Sequence, residues 1–333
     1  MNEDTLWLQV PAANRPSKKL VEVSTSPDKL EYIATQLASL QGYESPYIDE
    51  TNIIIFVADH GIKNQNKKPL IKPITSDFLN KFSSSGDTSI AIAENLKAKL
   101  EIVNLGTKTN FKCIDGIIHS TLATNTEDFC HTPAMSEEQF ARAINIGRQS
   151  AQRIYLSEAQ LFIASAPSNR NITSIYALTC ALLDVQPEKI VDINSEQYKL
   201  IYQALAQHKE QLTSPLEILR CLGSFEIAAL TGSYLCCAHI GMPVLIDGLA
   251  AAIAAHITER ICPEAKQWFL YSYTSIDSAH RLILNSLGAQ PLLQLNKTLD
   301  DIGGITSALS LLHLACEVHN ETISFSKEKV LAN

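Results

Sequence analysis

Short runs of β-branched and apolar residues alternate along the chain with longer stretches whose apolar positions recur at helical spacing. The runs are residues 52–58 (NIIIFVA), 101–105 (EIVNL), 161–165 (LFIAS), 243–247 (PVLID) and 268–272 (WFLYS). Each is almost continuously apolar, as a strand must be when helices cover both faces of its sheet. The alternation predicts an α/β fold, Rossmann-like and doubly wound around a mainly parallel sheet. Helix boundaries are readable too. Ser136-Glu137-Glu138-Gln139 is a capping box opening a helix to about Arg153, and Ser214-Pro215-Leu216-Glu217 is a second, with Pro at the first helical position. Ser26-Pro27-Asp28 opens another helix, and Cys262-Pro263 closes an Ala-rich one begun near Leu249, because proline disfavours a helical residue before it. The first 50 residues carry no convincing strand and the chain beyond residue 301 is helical again. The expected organisation is therefore a helical segment 1–50, an α/β domain 51–300 and a helical segment 301–333, the two ends forming a small lobe beside the sheet.

Composition narrows the function. With 333 residues, 46% hydrophobic and 19% charged, the chain buries a large core and is not disordered. A net charge of -8 without clustered basic and aromatic residues excludes a nucleic-acid footprint. The start, Met1-Asn2-Glu3-Asp4, has no basic region followed by an apolar one, so no secretory signal is expected. The most apolar stretch, 234–257, is interrupted by His239, Asp247 and His256 and broken at Gly241-Met242-Pro243, which predicts buried protein and no membrane span. Eight cysteines lack zinc spacing, and reduced thiols in a cytoplasmic core are the expectation. Neither GxGxxG nor GxxxxGK[ST] occurs, which removes the dinucleotide and P-loop classes, and no cofactor or metal is expected.

Ligands of open parallel sheets bind outside the carboxyl ends of the strands. The residues there are Asp59-His60-Gly61, Gly106-Thr107, the segment 166–170, Asp247-Gly248 and Tyr273-Thr274-Ser275. Asp59-His60 suits an acid/base pair or an oriented imidazole. Equally, Asp59 caps a turn and His60 holds a structural hydrogen bond. Residues 83–89 (SSSGDTS) read either as a polar ligand loop or as an ordinary cap, through Asp87 or Thr88, of the helix that follows.

Eight segments, in order, resemble the nicotinate-nucleotide:dimethylbenzimidazole phosphoribosyltransferase family: residues 55–61 (IFVADHG), 85–91 (SGDTSIA), 133–136 (PAMS), 161–162 (LF), 171–173 (NIT), 223–227 (GSFEI), 243–248 (PVLIDG) and 272–275 (SYTS). The resemblance spans about residue 50 to the end. It implies a homodimer whose small helical domain comes from both termini. It also implies a reaction in which a benzimidazole nitrogen displaces nicotinate from nicotinate mononucleotide with inversion at the ribose. Site residues implied are Asp59, His60, Gly86, Asp87, Thr88, Asn104, Asn171, Thr173, Lys199, Asp247, Tyr273 and Ser275, for a small-molecule base and a nucleotide.

The chain departs from the family at the residues tied to proton transfer. The family's general base is a glutamate in a Gly-Glu-Gly-Ser/Thr-Gly segment, and Gly303 stands at its position. A second glutamate position reads Ala166, the phosphate segment reads Asn125-Thr126-Glu127-Asp128, Tyr273 replaces a histidine, and Asn104 replaces the aspartate ending the second strand. Asp301, two residues before Gly303, is the expected surrogate base, with Asp277 second, although carboxylates near a helix start are favoured by the dipole alone. Arg170 and Lys199 are the basic side chains expected nearest a phosphate. Three functions follow: a transferase with relocated acid/base groups, a decayed homologue that binds a base, nucleotide or partner, and a different small-molecule enzyme using Asp59-His60.

Overall fold

The computed structural model describes residues 7–8, 10–14, 28–49, 51–63, 94, 96–108, 116–167, 172–295 and 303–331. Six strands form one sheet: β1 (Thr51–Ala58), β2 (Ala98–Gly106), β3 (Ile117–His119), β4 (Phe162–Ser165), β5 (Val244–Ile246) and β6 (Phe269–Tyr271). Their order is β3-β2-β1-β4-β5-β6 and every neighbouring pair is parallel. The order reverses between β1 and β4, so the crevice outside their carboxyl ends is the topological switch point where such sheets bind ligands. A separate pair, β7 (Tyr273–Thr274) and β8 (Leu293–Gln294), continues the chain beyond β6.

All five expected strands are present. Observed bounds differ by a few residues, most at β2, which begins at Ala98 where the sequence reading begins at Glu101. β3, β7 and β8 escaped that reading because two or three residues carry no periodicity.

Helices cover the sheet: α1 (Lys29–Gln41), α2 (Glu137–Leu156), α3 (Ile172–Leu183), α4 (Glu196–His208), α5 (Pro215–Leu222), α6 (Phe225–Ile240), α7 (Gly248–Ile261), α8 (Ser278–Ser286) and α9 (Gly303–Leu331). Asp28 caps α1, and the Ser136/Gln139 box closes reciprocally at the start of α2. α2 runs three residues past Arg153, and α7 ends at Cys262 as Pro263 requires. α6 and α7 are buried almost all round, as core helices are. The Ala-rich face of α7 is thus spent inside the chain. Seven of the eight cysteines lie among the described residues; all seven are buried free thiols.

α2 crosses α6 with almost no space between backbones. A Cβ on Gly147 would meet Ala229 O at 1.8 Å, and one on Gly232 would meet Ile144 O at 2.0 Å. Ser233 Oγ, donating to Gly147 O at 3.0 Å, ties the same crossing. α1 packs against α9, where Asn320 Nδ2 donates to Pro46 O at 3.0 Å. Residues 10–14 are tied to the end of α6 and to Trp268, with Ala13 N donating to Ala238 O at 2.8 Å and Trp268 Nε1 to Ala13 O at 3.1 Å. Among the described residues no helix is long and apolar enough to cross a membrane.

Candidate active site at the carboxyl edge of the sheet

Because all six strands run the same way, the residues after β1, β2, β4, β5 and β6 share one edge. Two polar groups sit there, separated by the end of β4.

The first lies beneath β1 and β2. Asp59, 4% exposed, accepts from Lys108 N at 2.8 Å through Oδ2, while its own N–H donates to Gly106 O and its carbonyl accepts from Thr126 N. It therefore stitches β1, β2 and the segment around Thr126 together. His60 is buried with Nε2 3.0 Å from Glu226 Oε1, and Glu226 Oε2 has no hydrogen-bond partner among the described residues. Asn104 holds the end of β2, its Oδ1 accepting from Gly106 N at 3.0 Å and its Nδ2 donating to Thr107 Oγ1 at 3.2 Å.

The second group lies beyond β5 and β6. Asp247 follows β5 directly, and its Oδ1 accepts from Ser272 Oγ at 2.6 Å. Burial drives its carboxyl up to about 7, against the Ser272 hydrogen bond that favours the ionised form. Ser165 Oγ, at the end of β4, donates to Asp247 O at 3.4 Å. Tyr273 stands edge-on to His280 with ring centroids 5.5 Å apart, and Ser275 Oγ lies 2.9 Å from His280 Nδ1. Burial pulls His280 down to about 4, with Asp277 opposing weakly, so the ring is neutral near pH 7. Thr173, in the first turn of α3, is 1% exposed, and its hydroxyl has no partner among the described residues.

The first turn of α9 completes this group. A Cβ on Gly304 would fall 2.3 Å from Tyr273 Cε1 and 2.6 Å from Asp247 Oδ1, distances that real Cβ atoms do not show. Only glycine lets this helix start against the β5 and β6 ends.

The edge thus gathers Asp59, His60 and Asn104 in one group and Asp247, Tyr273 and Ser275 in the other, while Thr173 is buried in the first turn of α3. Ala166, 8% exposed, follows β4 directly. Lys199 is exposed on α4. Asp277 caps α8, accepting from His280 N at 3.1 Å, and also accepts from Tyr176 Oη at 2.7 Å. Glu127 is exposed, whereas Asp128 accepts from Cys130 N at 3.2 Å and pairs with His131. Gly86, Asp87, Thr88, Arg170, Asn171 and Asp301 lie outside the described residues. Sequence reasoning does not single out Glu226, because an acidic residue in a first helical turn ordinarily reads as a solvated dipole partner. Among the described residues no three His, Cys, Asp or Glu side chains converge as a metal ion requires.

A family model described as phosphoribosyltransferase matches residues 10–330. Nicotinate-nucleotide–dimethylbenzimidazole phosphoribosyltransferase of Pseudomonas syringae pv. syringae (strain B728a) is 37% identical over 327 residues, covering 96% of this chain and 93% of the relative. The protein of the same name from Pseudomonas putida KT2440 is 35% identical over 326 residues, with the same coverage. The crystal structure of nicotinate-nucleotide–dimethylbenzimidazole phosphoribosyltransferase from Thermus thermophilus superposes with a TM-score of 0.77 at 25% identity, over 96% of this chain and 94% of that one. By full-length sequence and by fold, the chain belongs to the nicotinate-nucleotide–dimethylbenzimidazole phosphoribosyltransferase family.

Proposed function

We propose that the protein is a phosphoribosyltransferase that exchanges the nicotinate of nicotinate mononucleotide for an aromatic nitrogen base such as dimethylbenzimidazole, for cobamide lower-ligand synthesis. The observation that carries this reading is the family match over residues 10–330, joined to a carboxyl edge on which the ends of β1, β4, β5 and β6 converge. In this reading the nucleotide phosphate lies at the start of α3. There the Thr173 hydroxyl, without a partner among the described residues, and the N–H groups of a helix N-terminus favour an anion. Asn171 and Arg170 flank that position in the sequence. Asp59, His60 and Asn104 shape the edge beneath the ribose, and Asp247, Tyr273 and Ser275 face the reacting bases. No metal or cofactor enters the reaction.

The segments 1–50 and 301–333 form the small lobe over the domain 51–300 in this proposal, the α1–α9 contact supporting it. The working enzyme is a cytoplasmic homodimer, a reading that the family resemblance and the seven buried free thiols support.

Gly303 and Ala166, at the family's glutamate positions, favour a second reading, a homologue that binds base or nucleotide without turnover. The assay is nicotinate release by purified protein supplied with nicotinate mononucleotide and dimethylbenzimidazole, with binding of each followed by calorimetry. Release at a steady rate supports the transferase. Binding of both substrates without release establishes the second reading.

A further inference from the structure

We infer that Asp247 is the proton acceptor of this chain, taking the N–H proton of the attacking base in place of the missing glutamates. The inference rests on the transferase reading. It starts from a placement: Asp247 lies between the two positions that carry no carboxylate. On one side Gly304, the neighbour of Gly303, presses the first turn of α9 against Asp247 Oδ1. On the other, Ser165, the neighbour of Ala166, donates its hydroxyl to the Asp247 backbone carbonyl. A base bound between the end of β4 and the start of α9 would have this carboxyl beside it.

Its neighbours leave the group available. Asp59 is held by Lys108 N, Asp277 caps α8 while binding Tyr176, and Glu226 lies with His60 in the other polar group, across the end of β4. Asp247 makes one side-chain hydrogen bond among the described residues, from Ser272 to Oδ1, which leaves Oδ2 as an acceptor. The titratable groups around it are Tyr234 of α6, Tyr273 of β7 and His280 of α8, and none is a cation near pH 7. No lysine or arginine among the described residues holds the carboxyl down, and burial leaves it at about 7. A general base works best when its pKa lies near the operating pH.

The step balances. The lone pair of the unprotonated azole nitrogen forms the bond to the ribose C1′. The C1′–N bond to the pyridinium ring breaks and its electron pair returns to the nicotinate nitrogen. The proton on the other azole nitrogen passes to the Asp247 carboxylate, leaving a neutral N-riboside and a carboxylic acid that solvent later deprotonates.

The experiment compares wild type, Asp247→Asn, Ser272→Ala and Asp301→Asn in nicotinate release across pH 5.5–9, with dimethylbenzimidazole binding measured separately. Asp247→Asn should lower kcat by about 10²–10⁴-fold, leave the Kd for dimethylbenzimidazole within a few-fold, and remove the rise of kcat/KM near pH 7. Ser272→Ala should move that rise to higher pH, since it deletes the hydrogen bond favouring the carboxylate. An active wild type whose rate and pH profile survive Asp247→Asn overturns this inference and leaves the transferase reading standing; so does loss of the rise in Asp301→Asn. Should Asp247→Asn fail to fold, a rise unmoved in Ser272→Ala overturns it. An inactive wild type sinks the transferase reading and this inference with it.

Discussion

Gly304 and Asp247 approach so closely that a methyl group on the glycine would overlap the carboxylate, its Cβ 2.6 Å from Oδ1. The contact joins the first turn of α9 to the end of β5, and Tyr273 blocks the same methyl at 2.3 Å. Gly304→Ala must therefore displace the helix start or the Tyr273 ring. In an unobstructed helix interior the change would gain roughly 0.5–1 kcal/mol, whereas overpacking costs typically about 1–3 kcal/mol. We expect net destabilisation in urea titrations and at least a tenfold loss of kcat/KM in nicotinate release, because the reacting edge shifts with the helix. Unchanged stability and activity would show that α9 does not fix this edge.

Two other glycines make a purely structural counterpart. At the α2–α6 crossing the added methyl of Gly147→Ala meets backbone, Ala229 O at 1.8 Å, and that of Gly232→Ala meets Ile144 O at 2.0 Å. A flexible side chain can yield, but two packed helices must separate, and the Ser233–Gly147 hydrogen bond separates with them. Each substitution should cost about 3 kcal/mol or more, at or beyond the upper end of overpacking. Equilibrium unfolding measures it, and a cost under about 0.5 kcal/mol would contradict the close crossing.

How far the sequence discloses all this depends on the range of the interactions. β1, β4, β5 and β6 were legible because a strand buried on both faces must be apolar throughout, and the caps at Ser136 and Ser214 because they act within one helical turn. The common edge was legible from topology, since parallel strands carry their carboxyl ends to one side. The pairing of Asp247 with Ser272, the wedge of Gly304 and the buried contact of His60 with Glu226 were not. Each joins segments far apart in the chain, and no local spacing encodes which side chains meet. Gly304 carried a signal of a kind, a Gly-Gly pair opening a helix, where glycine is otherwise costly.

The second polar group also contains two oppositely shifted titrations, which gives a prediction about stability and pH. Asp247 rises from the ordinary 3.8 to about 7 in the folded protein. Between those values the folded state keeps a proton the unfolded state has released, so this group lowers stability as pH rises from about 4 to about 7. His280 falls from 6.5 to about 4. Across that window the unfolded state binds a proton the folded state refuses, so this group lowers stability as pH falls from about 6.5 to about 4. In the wild type the two slopes oppose each other. Asp247→Asn removes the first, and should gain on wild type as pH rises from about 4 to 8, by an amount on the order of a few kcal/mol. His280→Asn removes the second; whatever constant packing loss it carries, its stability relative to wild type should improve as pH falls from about 6.5 to 4. Urea unfolding at pH 4.5, 6 and 8 resolves both differences. The two variants should diverge from wild type in opposite directions along the pH axis, and difference curves that stay flat would show that neither group is buried as described.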